Sequence, residues 1–224
     1  MTAIYATVAT KVKTTAGRSA LTLVEVLVII AVLVLLVGML SVDLSKDTKR
    51  SRRTVCVNNL RQVGLSFKIC AGGSYDRYHF QREATQNGTI EWVVTGEVWP
   101  HFLVMSNELN TPKVLVCPAD TRRPAASWAS LSNSNISYFI GLDAVETLPE
   151  MLLSGDSNLE VDGKPVGQGL LNLWTNSPVA WTTNRHKGHG GVCLGDGSAL
   201  QFTNAQLRRA LVRSDMATNR LAIP

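Results

Sequence analysis

The stretch from Ser19 to Leu40, SALTLVEVLVIIAVLVLLVGML, decides how the rest of the chain is read. From Leu21 to Leu40 only Thr22 and Glu25 carry polar side-chain groups. An apolar run of that length, at about 1.5 Å per residue, makes a helix of roughly 30 Å, the thickness of a bilayer core. A membrane-spanning helix is therefore expected over residues 21–42. Glu25 is the anomaly in it. A carboxylate at a helix centre costs about 2.5 to 3.5 kcal/mol on insertion scales, so it needs a partner or must snorkel to the interface. Lys11, Lys13 and Arg18 precede the run, as in a secretory signal peptide, but the exit GMLSVDL offers no pair of small residues at A-x-A spacing.

The 224 residues suffice for one ordinary domain plus an anchor, and 45% hydrophobic with 17% charged residues excludes compositional disorder. The net charge of +5 invites a nucleic-acid reading, yet much of the excess lies in KDTKRSRR (46–53), directly after the apolar run. Such a juxtamembrane run faces lipid headgroups or solvent, so no nucleic-acid partner is expected. Five Lys or Arg over 46–53 against three before the apolar run would, taken alone, keep the C-terminal part in the cytoplasm. Cys56, Cys70, Cys117 and Cys193 show neither a C-x-x-C pair nor zinc-type His spacing. In an exported domain they could form up to two disulfides, in any of three connectivities.

After the apolar run, VDLSKDTKRSRRTVCVNNLRQVGLSFKICAGG contains no Pro, and Val55, Cys56, Leu60, Val63 and Phe67 fall at helical spacing. One helix of roughly fifty residues is expected, ending at Gly72 and Gly73, with its second half (43–72) amphipathic. The remainder, 73–224, reads as a globular domain with a small, mainly antiparallel sheet. Its expected strands are TIEWVV (89–94), KVLVC (113–117), ISYFIG (136–141) and VAWTT (179–183), and residues 121–135 and 154–169 read as long loops. Asp196-Gly197 within GVCLGDGSALQF marks a hairpin. Thr203 or Asn204 is placed to cap a short helix, AQLRRALVR. The fold class expected is thus α+β, a long N-terminal helix packed on a small sheet.

His186, His189, Cys193 and Asp196 invite metal or catalytic readings. A turn favours Asp at 196 and a positive φ at Gly197, which gives these residues a structural role instead. His186 is then expected to bond backbone across the loop. Cys193, between Val192 and Leu194, reads as a buried small hydrophobe or half a disulfide. No G-x-S-x-G, H-E-x-x-H or phosphate-binding loop occurs, so the chain is read as a non-enzyme. Trp92, Trp99, Trp128, Trp174 and Trp181, scattered without interleaved basic residues, read as core or interface anchors.

ALTLVE followed by an apolar run resembles the class III signal of type IV pilins and type II secretion pseudopilins. RRTVCVNNLRQVGLSF, KVLVCPAD with Cys117, Pro118 and Asp120, and above all HKGHGGVCLGDG, His186 followed nine residues later by Asp196-Gly197, resemble the pseudopilin-like proteins of planctomycete and verrucomicrobial type. The resemblance covers the chain from about residue 16 onward, with Ala20 in place of the usual Gly and Leu21 in place of the usual Phe. It implies a cytoplasmic leader (1–20), cut between Ala20 and Leu21 by a prepilin peptidase that methylates the new amine. It also implies a filament-core helix (21–42), an exported pilin-like domain (73–224) and Glu25 at the fifth mature position, pairing with a neighbouring subunit's amine. The expected partners are the peptidase, other copies or pseudopilins in a helical filament, the inner-membrane assembly platform and the lipid bilayer. The expected location is the inner membrane, with export to the periplasm. The alternatives are a pilus-like subunit for adhesion or DNA uptake, and a membrane-tethered hydrolase using His186, Cys193 and Asp196. Calcium is the one cofactor the resemblance suggests, with Asp196, Asp120 or Asp156 as oxygen ligands. His186, Asp196, Gly197, Cys117 and Asp120 are the candidate motif residues of the domain.

Overall fold

The computed structural model describes residues 22–72 and 77–224, and for residues 39–49 the backbone alone. The leader, with Ala20 and Leu21 at its expected cut, lies outside the described residues, as does Gly73. The chain divides into two compact units, Met1–Lys46 and Asp47–Pro224. Helix α1 (Leu23–Gly72) supplies the described part of the first unit and the opening element of the second. Its N-terminus carries a reciprocal cap. The Glu25 amide donates to Thr22 Oγ1, and the Thr22 amide and hydroxyl both donate to Glu25 Oε2 at 3.0 and 3.1 Å. TLVE is therefore a capping box, satisfying helix-end donors that have no intrahelical partner.

In the second unit α1 buries one stripe, Cys56, Leu60, Val63, Phe67 and Ala71, at spacings of three and four residues. Beyond it, among the described residues, come short helical segments, including α2 (Trp99–Leu103) and α3 (Ser106–Leu109), and nine strands. The strands are β1 (Tyr138–Gly141), β2 (Leu152–Asp156), β3 (Leu159–Val161), β4 (Lys164–Pro165), β5 (Gly169–Trp174), β6 (Val179–Trp181), β7 (His189–Leu194), β8 (Ala199–Thr203) and β9 (Thr218–Ile223), with α4 (Asn204–Arg213) before the last. Six of them form an antiparallel sheet in the order β5-β9-β1-β2-β7-β8, and β4-β3-β6 form a second.

Alternation along the strands divides the core into two layers. Tyr138, Ile140, Leu153, Cys193 and Ala222 face the α1 stripe. Phe139, Leu152, Val192, Leu221 and Ile223 face Trp181 and the α4 residues Leu207, Ala210 and Leu211. A central sheet covered on both faces explains why its strands are apolar at consecutive positions.

The expected fold class is corrected on two counts. Among the described residues no helix is long and apolar enough to cross a membrane. The membrane-spanning part of the expected fold class is corrected accordingly, with Leu21 and the side chains of 39–42 lying outside the described residues. The domain, in turn, is mainly β, with two antiparallel sheets, rather than one small pilin-like sheet under one long helix.

Local expectations divide similarly. Segments 136–141 and 179–183 contain β1 and β6, and α4 forms with Thr203 as its cap. Segments 89–94 and 113–117 instead carry 3₁₀ turns, Ile90–Trp92 and Pro112–Leu115. Pro112 lacks the N–H a ladder needs, and Thr111 caps the turn that follows it. Residues 154–169, expected as loop, hold the end of β2 and all of β3 and β4.

Candidate functional site

Four segments distant in sequence meet between α1 and the central sheet. Cys56 comes from the buried stripe of α1. Cys117 follows the Pro112–Leu115 turn and opens a second turn, closed by the Asp120 amide donating to Cys117 O at 2.9 Å. Asn59 Nδ2, one turn along α1 from Cys56, donates to Val116 O and holds that loop against the helix. Asp156 ends β2, opposite Tyr138 of β1. His186 sits in the turn before β7, where Arg53 Nη2 donates to its carbonyl at 2.9 Å.

The side chains of these four residues are buried, and each places a donor atom within 4.8 Å of the others. Cys56 Sγ donates to Asp156 Oδ1 at 3.3 Å, and Cys117 Sγ lies 3.2 Å from His186 Nε2. His186 Nε2 is also 3.5 Å from Asp156 Oδ2, which accepts the Gly191 amide at 2.7 Å. The Tyr138 hydroxyl is 3.5 Å from Cys56 Sγ. Arg185 reaches Asp120 at 2.6 Å, donates to Ser137 O at 3.0 Å and stands 4.0 Å from Asp156.

These contacts polarise the two thiols in opposite directions. The neighbouring Cys56 thiol draws Cys117 down, burial opposes, and His186 draws it down further. Cys56 is pushed up by the neighbouring Cys117, by burial and by the Asp156 carboxylate. Burial, ahead of the neighbouring Cys117, pushes Asp156 up to about 6. Burial pulls His186 down, but Cys117 and Asp156 outweigh it and the net direction is up.

The structure brings together only part of what the sequence pattern suggested. His186 and Cys117 meet directly, and Asp120 stands one layer out, joined to the cluster through Arg185. The His186 ring bonds to a thiol and a carboxylate, not to backbone across its loop. Asp196 and Gly197 lie at the opposite end of β7, in the tight connection to β8. There Asp196 Oδ1 accepts the Ser198 amide at 2.8 Å, and Gly197 takes φ +84°. Cys193 is buried against α1 at Gly64. His186, Cys193 and Asp196 therefore do not converge on one reaction centre. All four cysteines are free thiols.

Cys56 is the partner that motif reading passed over, and Asp156 entered it only as an oxygen ligand for calcium. Their signals were the place of Cys56 on the stripe with Leu60 and Phe67, and an Asp closing a strand in which every residue is buried. Glu25, by contrast, is exposed and engages Thr22. No family model, curated protein or solved structure matches the chain.

Proposed function

We propose that the chain is a prepilin-like structural subunit, cut and N-methylated by a prepilin peptidase and assembled into a type II secretion pseudopilus or related filament that drives protein export. It is not an enzyme. Its precursor waits at the cytoplasmic membrane with the domain exported, and its partners are the peptidase, the assembly platform and further subunits.

The observation that carries this reading is the start of α1. Leu23, Val24, Leu27, Val28, Ile30, Val34 and Val37 are all more than half exposed, and Glu25 is the one acid among them. A helix apolar all round is one whose partners lie outside the chain. Packing against neighbouring copies buries that surface at roughly 25 cal/mol per Å².

Glu25 then has two separable tasks, capping its own helix and meeting the N-terminal amine of a neighbour. Glu25→Gln separates them, because glutamine also serves in a capping box but carries no charge. The variant is expected to fold and be cut normally yet to enter filaments poorly in cells that assemble the wild type. Incorporation of the variant at the wild-type level would leave Glu25 a capping residue only. Failure of the wild type to enter filaments would contradict the function.

A further inference from the structure

We propose that Cys56, Cys117, Asp156 and His186 form a structural zinc site that fastens α1 to the central sheet. The inference stands independently of the filament reading.

The separations fit first. Zinc bonds to sulfur, imidazole nitrogen and carboxylate oxygen of about 2.0 to 2.3 Å, set at tetrahedral angles, give ligand-to-ligand edges of roughly 3.3 to 3.8 Å. The contacts here, Cys117 to His186 at 3.2 Å and Asp156 Oδ2 at 3.5 Å from both Cys56 Sγ and His186 Nε2, lie at or close to those edges. Two thiolates, an imidazole and a carboxylate are also the donor set of a borderline-soft divalent cation, where calcium and magnesium require oxygen alone.

The connectivity then excludes the obvious rival. In a nucleophile–imidazole–carboxylate relay the thiol and the carboxylate occupy opposite ring nitrogens. Here Cys117 and Asp156 both approach Nε2 of His186. Donors gathered on one nitrogen surround a common point instead of passing a proton along a line. Four buried protein donors leave no open coordination position, which is the pattern of a structural rather than a hydrolytic zinc centre.

The surroundings suit the same assignment. Two thiolates, a carboxylate and a dication leave a single negative charge on the centre. Arg185, 4.0 Å from Asp156, and Arg53, bonded to the His186 carbonyl, supply the positive charge beside it. The Tyr138 hydroxyl at Cys56 and the Gly191 amide at Asp156 orient the ligands from outside, the role that outer hydrogen bonds play around metals.

The test uses the full chain, purified in mild detergent with its thiols reduced. Metal analysis is expected to find one zinc per chain. Cobalt(II) alone, added after zinc removal, is expected to bind at the same ratio, with thiolate-to-cobalt charge transfer and the strong d–d bands of a tetrahedral site. Cys117→Ser and His186→Ala should each lose those bands, and a chelator should lower the Tm of the wild type but not of the variants. The wild-type titration decides the matter even where a variant does not fold. Reduced, folded wild type that takes up no stoichiometric cobalt would overturn the proposal. So would a Cys56–Cys117 disulfide in the chain isolated from its native membranes.

Discussion

Gly64 sits in the middle of α1, where glycine costs about 1 kcal/mol relative to alanine, and the structure gives the reason. A Cβ there would stand 2.4 Å from Cys193 Sγ and 2.9 Å from the Gly197 carbonyl. The helix reaches β7 and the β7–β8 connection only because position 64 has no side chain. Gly64→Ala is therefore expected to destabilise the domain by about 1 to 3 kcal/mol despite its better helix propensity, since overpacking outweighs the propensity gain. Chemical denaturation of variant and wild type measures it, and an unchanged or raised midpoint would show that the contact yields freely. Cys193 could be read as small and buried, but that it faces Gly64 across 129 positions is a fact of topology. The same holds for the cluster: the hairpin at Asp196-Gly197 was legible because a tight connection is local chemistry. The meeting of His186 with Cys56, Cys117 and Asp156 depends on strand order, which spacing does not encode.

At the scale of elements, the legible parts were those with a period. The α1 stripe from Cys56 to Phe67 and the capped helix α4 follow from apolar spacing and a Thr-x-x-Gln box, whereas Val55, placed on the same stripe by its spacing, is exposed. Segments 89–94 and 113–117 were misread as strands because short apolar runs look alike whether they pair or simply fill a core. The segments around His79–Gln81 and α2 pack on α1 through buried rings. His79 stacks on Phe67 with centroids 5.1 Å apart, and His101 Nδ1 meets Thr89 Oγ1 at 2.6 Å. Burial holds His79 well below the ordinary histidine range and pulls His101 down to about 4. Both folded values lie below the unfolded one, so the stability these rings confer is whole above about pH 6.5 and is lost as pH falls toward about 4. Unfolding free energy is expected to drop by about 2 kcal/mol on His101's account alone between about pH 7 and about pH 5. Denaturation across that range, with His101→Gln flattening the slope, checks it, and an equal slope in the variant would assign the loss elsewhere.

For the molecule as a whole, composition announced an apolar N-terminal helix and an ordinary domain, and the division at Lys46 follows that contrast. It did not announce two sheets, since β2, β5 and β9 are apolar on both faces or interrupted by polar residues, and neither pattern alternates cleanly. The exposed apolar start of α1 is the feature a solitary chain leaves unexplained, and the proposed assembly would bury it. Mass spectrometry of the N-terminal peptide, from cells that also express a prepilin peptidase, tests it most directly. The expected product is a chain beginning at Leu21 with a methylated amine. A chain from the same membranes that still carries residues 1–20 would contradict it.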